Sequence, residues 1–233
     1  MPNVFEGTKK PVFIVLGSTG AGKSTFINFA AGKDVAHVGH GLKSATSDIT
    51  PYIVQNPSNP TRYAVLLDTP GFDDTWLEDK IILSRIIDWL TKNNYGSALR
   101  GIIYLHDIAI PRSMISMNIM GPIKIDTPQV TSGTILVTTR WGCNDRSITR
   151  RSEADLTEIY WKDMLERGAH MAPFTDSRES AWDILNTLFQ ADPIDGSLIL
   201  QELRHSLNTL ERQAKRSTSS RGGFFAQLFG RFR

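Results

Sequence analysis

The strongest constraint on this chain is a glycine-rich turn that lies between a short apolar run and a helical run. Val12–Leu16 is apolar and rich in β-branched residues, which predicts a buried strand, and the segment from Ser24 onward has helical character. Glycines let successive backbone N–H groups curl around an anion, and the helix start adds its positive dipole end. The pattern predicts a phosphate-binding loop, with Lys23 reaching the β- and γ-phosphates and Ser24 ligating Mg²⁺. The loop has the sequence motif GxxxxGKS, which consists of Gly17, Ser18, Thr19, Gly20, Ala21, Gly22, Lys23 and Ser24.

The rest of the chain alternates between predicted strands and helices. This alternation predicts an α/β fold, a three-layer αβα sandwich with a mainly parallel sheet, and the glycine-rich loop places that fold among the P-loop NTPases. Between residues 107 and 130 the pattern is weak, and only 113–120 is long enough for two helical turns. Strands are expected at 12–16, 52–55, 63–68, 99–105, 134–138 and 169–174, and helices from residue 24 and at 78–94, 153–167, 180–189 and 197–216.

Composition narrows the class of protein further. The single cysteine, Cys143, excludes an internal disulfide and fits a reducing, cytoplasmic location. No apolar stretch approaches 18 residues, so we expect no membrane-spanning helix. Residues 212–233 carry six basic side chains and no acidic one, which leaves 20 basic against 24 acidic residues in 1–211. A mildly acidic body predicts no nucleic-acid partner.

A second motif separates the nucleotide-binding classes. Asp68-Thr69-Pro70-Gly71 closes the expected strand 63–68, 45 residues after Lys23. A carboxylate at a strand end can hold Mg²⁺ through water, and a glycine three residues later can bring a backbone N–H close to the γ-phosphate. The motif favours a GTPase. A P-loop kinase remains the less favoured alternative, since its arginine lid would have only Arg146, Arg150 and Arg151 as candidates.

With these two motifs the chain resembles the septin-like branch of P-loop GTPases, and most closely the G domain of the immune-associated (GIMAP, AIG-type) proteins and the chloroplast-import (Toc) receptors. The amino-acid sequences of residues 138–141 and 160–169 resemble those of similar stand-alone G-domain proteins. The resemblance implies GTP and GDP as ligands, Mg²⁺ as cofactor, and slow hydrolysis assisted by a homodimer or oligomer formed through the nucleotide face. The resemblance covers about residues 11–190. Together with the composition of the two ends, it leads us to expect a flexible N-terminus at 1–10, a G domain at 11–191, a C-terminal helical extension at 192–216 and a basic aromatic tail at 217–233.

The resemblance also assigns residues beyond the loop. Thr46 is the expected switch threonine, which closes over Mg²⁺ and the γ-phosphate and acts with Lys23 in catalysis; Thr50 is the second choice. The nucleotide-binding set extends over Thr25, Asp68 and Gly71 to Thr139, Arg140 and Trp141, and the metal ligands are Ser24, Thr46 and Asp68.

The base-reading element of such families is Thr/Asn-Lys-x-Asp, which corresponds here to Thr139, Arg140, Trp141 and Gly142. Arg140 is expected to cover the base in place of lysine, and Trp141 to stack nearby. Gly142 replaces the aspartate that accepts the guanine N1–H and N2–H₂ hydrogen bonds, so base specificity stays open, with Asp145 as a substitute. The last element falls at 175–177.

The catalytic step also departs from Ras-like GTPases, because Phe72 stands where they have the water-orienting glutamine. Asp73 or Asp74 could position water, although capping of the following helix is the simpler role. Two functions therefore stay open besides the kinase. One is a slow GTPase that acts as a switch or assembly module, and the other is a non-hydrolysing, nucleotide-dependent scaffold.

The C-terminal tail combines arginines with aromatic residues. A Ser/Gly/Arg linker is expected at 217–223, followed by four phenylalanines and a leucine within ten residues. Residues 221–233 suit a membrane interface, and docking on the protein's own surface or on a partner is an equal alternative.

Overall fold

The computed structural model describes residues 10–38, 48–72, 76–110, 120, 123–142 and 146–229. For residues 76–77, 146–148 and 214–229 it describes the backbone alone.

A six-stranded sheet forms the centre of the molecule, with the strand order β2-β3-β1-β4-β5-β6. Every neighbouring pair is parallel except β2 and β3, which form an antiparallel hairpin at one edge. The mainly parallel α/β sandwich expected from the sequence is therefore confirmed. The strands are β1 Val12–Gly17, β2 Thr50–Gln55, β3 Tyr63–Asp68, β4 Leu99–Asp107, β5 Thr134–Thr139 and β6 His170–Pro173.

Helices cover both faces of the sheet, and residues that alternate along β1 belong to opposite sides. Val12, Ile14 and Leu16 pack with residues of α2 and α7, whereas Phe13 and Val15 pack with residues of α1 and α6. Strand side chains that are buried on both faces require this three-layer arrangement. The helices are α1 Lys23–Ala31, α2 Trp76–Lys92, α3 Pro128–Ser132, α4 Arg146–Asp155, α5 Lys162–Glu166, α6 Arg178–Gln190 and α7 Gly196–Phe229.

The helix expected at 153–167 differs from the structure. Helix α4 begins at Arg146, and a π-helical turn, Leu156–Tyr160, separates it from α5. The sequence pattern missed the start because α4 is strongly polar and contains only two apolar residues, Ile148 and Ala154. The π turn places Trp161, which is 1% exposed, in the core.

Helix α7 corrects the expectation of a linker, because it continues through residues 217–223 to Phe229. Once a helix is nucleated, each further residue needs only propagation, so serines and glycines can extend it. Its first half packs on α2, where Lys80 pairs with Glu211 at 3.2 Å. Among the described residues, no helix combines the length and apolar character needed to cross a membrane.

Candidate functional site

The glycine-rich loop lies at the carboxyl end of β1 and leads directly into α1. Gly22 caps the helix with a left-handed backbone, φ 91°, which favours glycine. Gly17 is fixed by space as well, because a Cβ there would collide with the Leu105 carbonyl oxygen of β4. The strand, turn and helix therefore present backbone N–H groups at one edge of the sheet, as anion binding requires.

Lys23 folds back over this loop. Its Nζ donates to the carbonyl oxygens of Gly17 at 3.1 Å and Ser18 at 2.9 Å, and the residue is 7% exposed. The two carbonyls hold the ammonium group beside the loop amides. The arrangement concentrates positive charge where the loop would meet a phosphate.

Ser24 and Asp68 meet beside Lys23. The Ser24 hydroxyl donates to Asp68 Oδ2 at 3.0 Å, and Asp68 is 2% exposed. Strand pairing brings them together, because β3 lies parallel to β1 and Asp68 is in register with Val15. A hydroxyl and a carboxylate are hard oxygen donors of the type that Mg²⁺ prefers, so these residues fit a magnesium site.

The segment after Asp68 is bonded to the loop. The Phe72 N–H donates to the Gly17 carbonyl, and the Thr19 N–H donates to the Phe72 carbonyl, both at 3.2 Å. Gly71 lies so close that an added Cβ would stand 2.5 Å from Thr19 N. Phe72 is 3% exposed and packs in the core between β1 and α2. Its ring faces away from solvent and supplies no polar group to a water molecule.

The end of β5 is bonded to the same loop. The Thr139 hydroxyl donates to the Ala21 carbonyl at 3.0 Å, and Arg140 Nη2 donates to the Gly20 carbonyl at 3.0 Å. Arg140 has a left-handed backbone with a φ of 62°, which is uncommon for a residue other than glycine. Thr139 and Arg140, the first two residues of the expected base-reading element, therefore contact the phosphate-loop backbone directly.

Asp107 at the end of β4 is a site residue that the sequence analysis missed. Its Oδ2 lies 3.2 Å from Arg140 Nε, and its Oδ1 accepts from the Ala109 N–H at 2.8 Å. Burial raises the pKa of the Asp107 carboxyl, while the Ala109 amide and Arg140 act in the opposite direction. Its position at the carboxyl end of a parallel strand was the available signal.

A cavity of about 480 Å³ opens beyond Arg140. Trp141 forms one wall, and its indole Nε1 donates to the carbonyl and the hydroxyl of Thr138 at 3.1 and 3.2 Å. At Gly142 an added Cβ would meet nothing within 4 Å, so the cavity is open where a family aspartate would stand. The lining residues are Trp141, Gly142, Thr149, Arg150, Thr175 and Asp176.

The remaining predicted residues fall in different places. Thr46, Asp73, Asp74 and Asp145 lie outside the described residues, and so do residues 113–119 of the two-turn segment expected at 113–120. Thr25 is half-buried in the first turn of α1. Thr50, the second choice for the switch threonine, begins β2 and is paired in register with Asp68.

Comparison with known proteins agrees with this geometry. The model of the 50S ribosome-binding GTPase family matches residues 12–118, which include both phosphate motifs. Among curated proteins, the small ribosomal subunit biogenesis GTPase RsgA of Limosilactobacillus reuteri is 29% identical over 117 residues. That alignment covers 46% of this chain and 36% of RsgA, so only part of that relative is represented.

Solved structures share the fold at low sequence identity. A structure of the chloroplast translocon components atToc33 and psToc159, in which dimerisation is described as important for GTPase activity, has a TM-score of 0.57 and 11% identity. It covers 80% of this chain and 87% of that one. Era in complex with MgGDPNP and nucleotides 1506–1542 of 16S ribosomal RNA has a TM-score of 0.54 and 18% identity, and covers 81% of this chain and 59% of that one.

Sheet order, phosphate motifs and family match lead to one assignment. This chain has the fold of P-loop GTPases, and its residues 12–118 match the model of the 50S ribosome-binding GTPase family.

Proposed function

We propose that this protein binds GTP with Mg²⁺, hydrolyses it slowly with the help of a second copy, and acts as a nucleotide-dependent switch or assembly module. The observation that carries the proposal is the convergence of three segments on the glycine-rich loop. Ser24 contacts Asp68, Phe72 bridges to Gly17, and Thr139 contacts the Ala21 carbonyl.

The residues of the loop have separate roles in this proposal. The amides of residues 17–25 and the Lys23 ammonium bind the phosphates, while Arg140 and Trp141 flank the base. Gly71, which lies close against Thr19 of the loop, would bring its backbone N–H to the γ-phosphate. Thr46, which belongs to the chain outside the described residues, is proposed to close the site from the switch segment.

Mg²⁺ would be held by Ser24 and Asp68, with Thr46 as a third ligand. When bound, the ion neutralises charge on the phosphate oxygens. The chain's own contribution is the position of the donors, which β3 fixes beside the first turn of α1. Era was solved with MgGDPNP, which supports the same cofactor here.

The proposal of slow, dimer-assisted hydrolysis rests on the apolar, buried side chain of Phe72. Its buried ring occupies the position of the water-orienting glutamine of Ras-like enzymes, so this chain supplies no side chain there for that step. A second copy across the nucleotide is one source of the missing group. The structure of atToc33 and psToc159, in which dimerisation is described as important for GTPase activity, supports this part of the proposal. We also propose kinship with the septin-like, GIMAP-like branch, on the basis of the two phosphate motifs and of residues 138–141 and 160–169.

The test is phosphate release from GTP and from ATP at several protein concentrations in magnesium buffer. The proposal expects release from GTP alone, with a turnover per molecule that rises with protein concentration. Binding without release would favour the second candidate, a non-hydrolysing scaffold, which the buried Phe72 also supports. Transfer of the phosphate to an added acceptor would indicate a kinase.

The basic tail is proposed to bring the protein to a membrane surface, because arginines flank the aromatic residues at 221–233. Oligomerisation would add the avidity that so short a segment needs. Flotation with anionic liposomes, with and without residues 221–233, tests the idea. Equal flotation of both forms would refute it and leave docking on protein as the role of the tail.

A further inference from the structure

The cavity beside Gly142 lies where the base of a bound nucleotide would end. Arg140 contacts the loop carbonyl of Gly20, so the chain from Arg140 to Gly142 leads from the phosphate end of the site into the cavity. A guanine presents two neighbouring donors on its edge, N1–H and N2–H₂. A specific site must meet them with acceptors, since buried donors left unpaired weaken binding.

Asp176 is the one carboxylate among the described residues that line this cavity. Gly142 contributes no side chain, and the Trp141 indole is a donor already bonded to Thr138. Arg150 is a donor as well. The two threonines of the lining, Thr149 and Thr175, offer single neutral oxygens. A carboxylate alone offers two charged acceptors side by side, the geometry that the guanine edge requires.

The loop around Asp176 is fixed on both sides. Before it, the Phe174 N–H donates to the Thr138 carbonyl of β5 at 2.8 Å. After it, the Ser177 hydroxyl caps α6 by accepting from the Ser180 N–H at 3.0 Å. Asp176 itself is exposed and has a φ of 50°, and within the described part of the chain its carboxylate forms no hydrogen bond or ion pair. The side chain is thus held at the cavity with its acceptors available.

We propose that Asp176 reads the Watson–Crick edge of guanine, in place of the aspartate that Gly142 has replaced. The inference rests on the proposed function, because it requires a guanine nucleotide with its phosphates on the loop. The specificity carboxylate would then come from the loop between β6 and α6 instead of the end of β5.

The test compares the binding of GTP, ITP and XTP, each with Mg²⁺, to the full chain and to D176A and D176N. ITP lacks the N2 amino group, and XTP carries a carbonyl there. We expect the unmodified protein to prefer GTP over ITP by about tenfold or more, as loss of a charge-assisted hydrogen bond predicts. D176A should bring that ratio close to one, and D176N should shift preference toward XTP, because an amide donates to the added carbonyl.

Two controls make the result decisive. D183N makes the same acid-to-amide change on an exposed position of α6 and should keep the GTP preference. D145N tests the other acidic residue near Gly142 in sequence. The inference is overturned if D176A and D176N retain the GTP-to-ITP ratio of the unmodified protein, or if D145N alone removes it. If the unmodified protein binds no guanosine nucleotide, the proposed function itself fails.

Discussion

The hydroxyl of Thr139 donates to the carbonyl of Ala21 at 3.0 Å and so joins the end of β5 to the phosphate-binding loop, 118 residues earlier in the chain. Both groups are buried, and the same hydroxyl lies 3.3 Å from the His106 carbonyl. One side chain therefore fixes the loop that would hold phosphate relative to the segment that would hold the base.

Replacing Thr139 by valine should loosen this connection. The shape is preserved but the Ala21 carbonyl loses its donor, so we expect the free energy of unfolding to fall by about 1–2 kcal/mol. The affinity for GTP should fall by about fivefold, measured by calorimetry. T187V removes a similar hydroxyl–carbonyl bond that is open to solvent, within α6 and away from the loop, and should leave affinity unchanged. Equal effects of the two variants would contradict the role given to Thr139.

Lys23→Ala should abolish binding of GTP. The variant removes the cation that Gly17 and Ser18 hold beside the loop amides, so the phosphates lose their strongest charged partner. K92A, at the exposed end of α2, is the matched control and should bind as the unmodified protein does. Circular dichroism establishes that both variants are folded. Normal GTP affinity in folded K23A would refute the assignment.

Removal of magnesium tests Ser24 and Asp68 as its ligands. The GTP affinity of the unmodified protein should fall when EDTA replaces Mg²⁺. In D68N the change in GTP affinity should be at least tenfold smaller, because the asparagine side chain carries no charge to bind the ion. The exposed D88N on α2 is the control for a lost carboxylate. If D68N keeps the full magnesium response, the ion is bound elsewhere.

Phe72 is predicted to act as a packing anchor for the segment that follows Gly71. Because its ring is 3% exposed, F72A should lower the free energy of unfolding by about 3–4 kcal/mol and F72L by about half as much, measured by urea denaturation. A change below about 1 kcal/mol in F72A would show that the ring is not packed as described.

His106 predicts a dependence of stability on pH. Burial lowers the pKa of His106 to about 4, below its usual value of 6.5, so the unfolded chain binds more protons than the folded one between these values. The contribution of His106 to the free energy of unfolding is fully present above pH 6.5 and is lost as the pH falls toward 4. The free energy of unfolding should therefore decrease by about 2 kcal/mol between pH 7 and pH 5, measured by urea denaturation.

H106F keeps a ring against Trp161, whose ring centroid lies 5.8 Å from that of His106, and removes the titrating group. Between pH 7 and pH 5, H106F should lose about 2 kcal/mol less free energy of unfolding than the unmodified protein does. H205F, on the exposed side of α7, is the control and should retain the loss seen in the unmodified protein. An unchanged pH dependence in H106F would assign the effect to other groups.

Local patterns were sufficient for most of the fold. The apolar run before the glycine loop and the alternation of strands and helices predicted a mainly parallel α/β sandwich, which the structure confirms. The polar start of α4 was not predicted because few apolar residues mark it in the sequence. The continuation of α7 through residues 217–223 was not predicted because helix propagation depends on the residues that precede it.

What the sequence determined by itself is the phosphate loop and the Asp68–Gly71 motif, since glycine and carboxylate positions express their chemistry through short-range spacing. Only the tertiary structure decided that Asp107 supports Arg140, that Phe72 turns into the core, and that Asp176 rather than Gly142 brings a carboxylate to the cavity. These relationships depend on the order of strands in the sheet, because neighbouring strands bring together residues that are far apart in the chain.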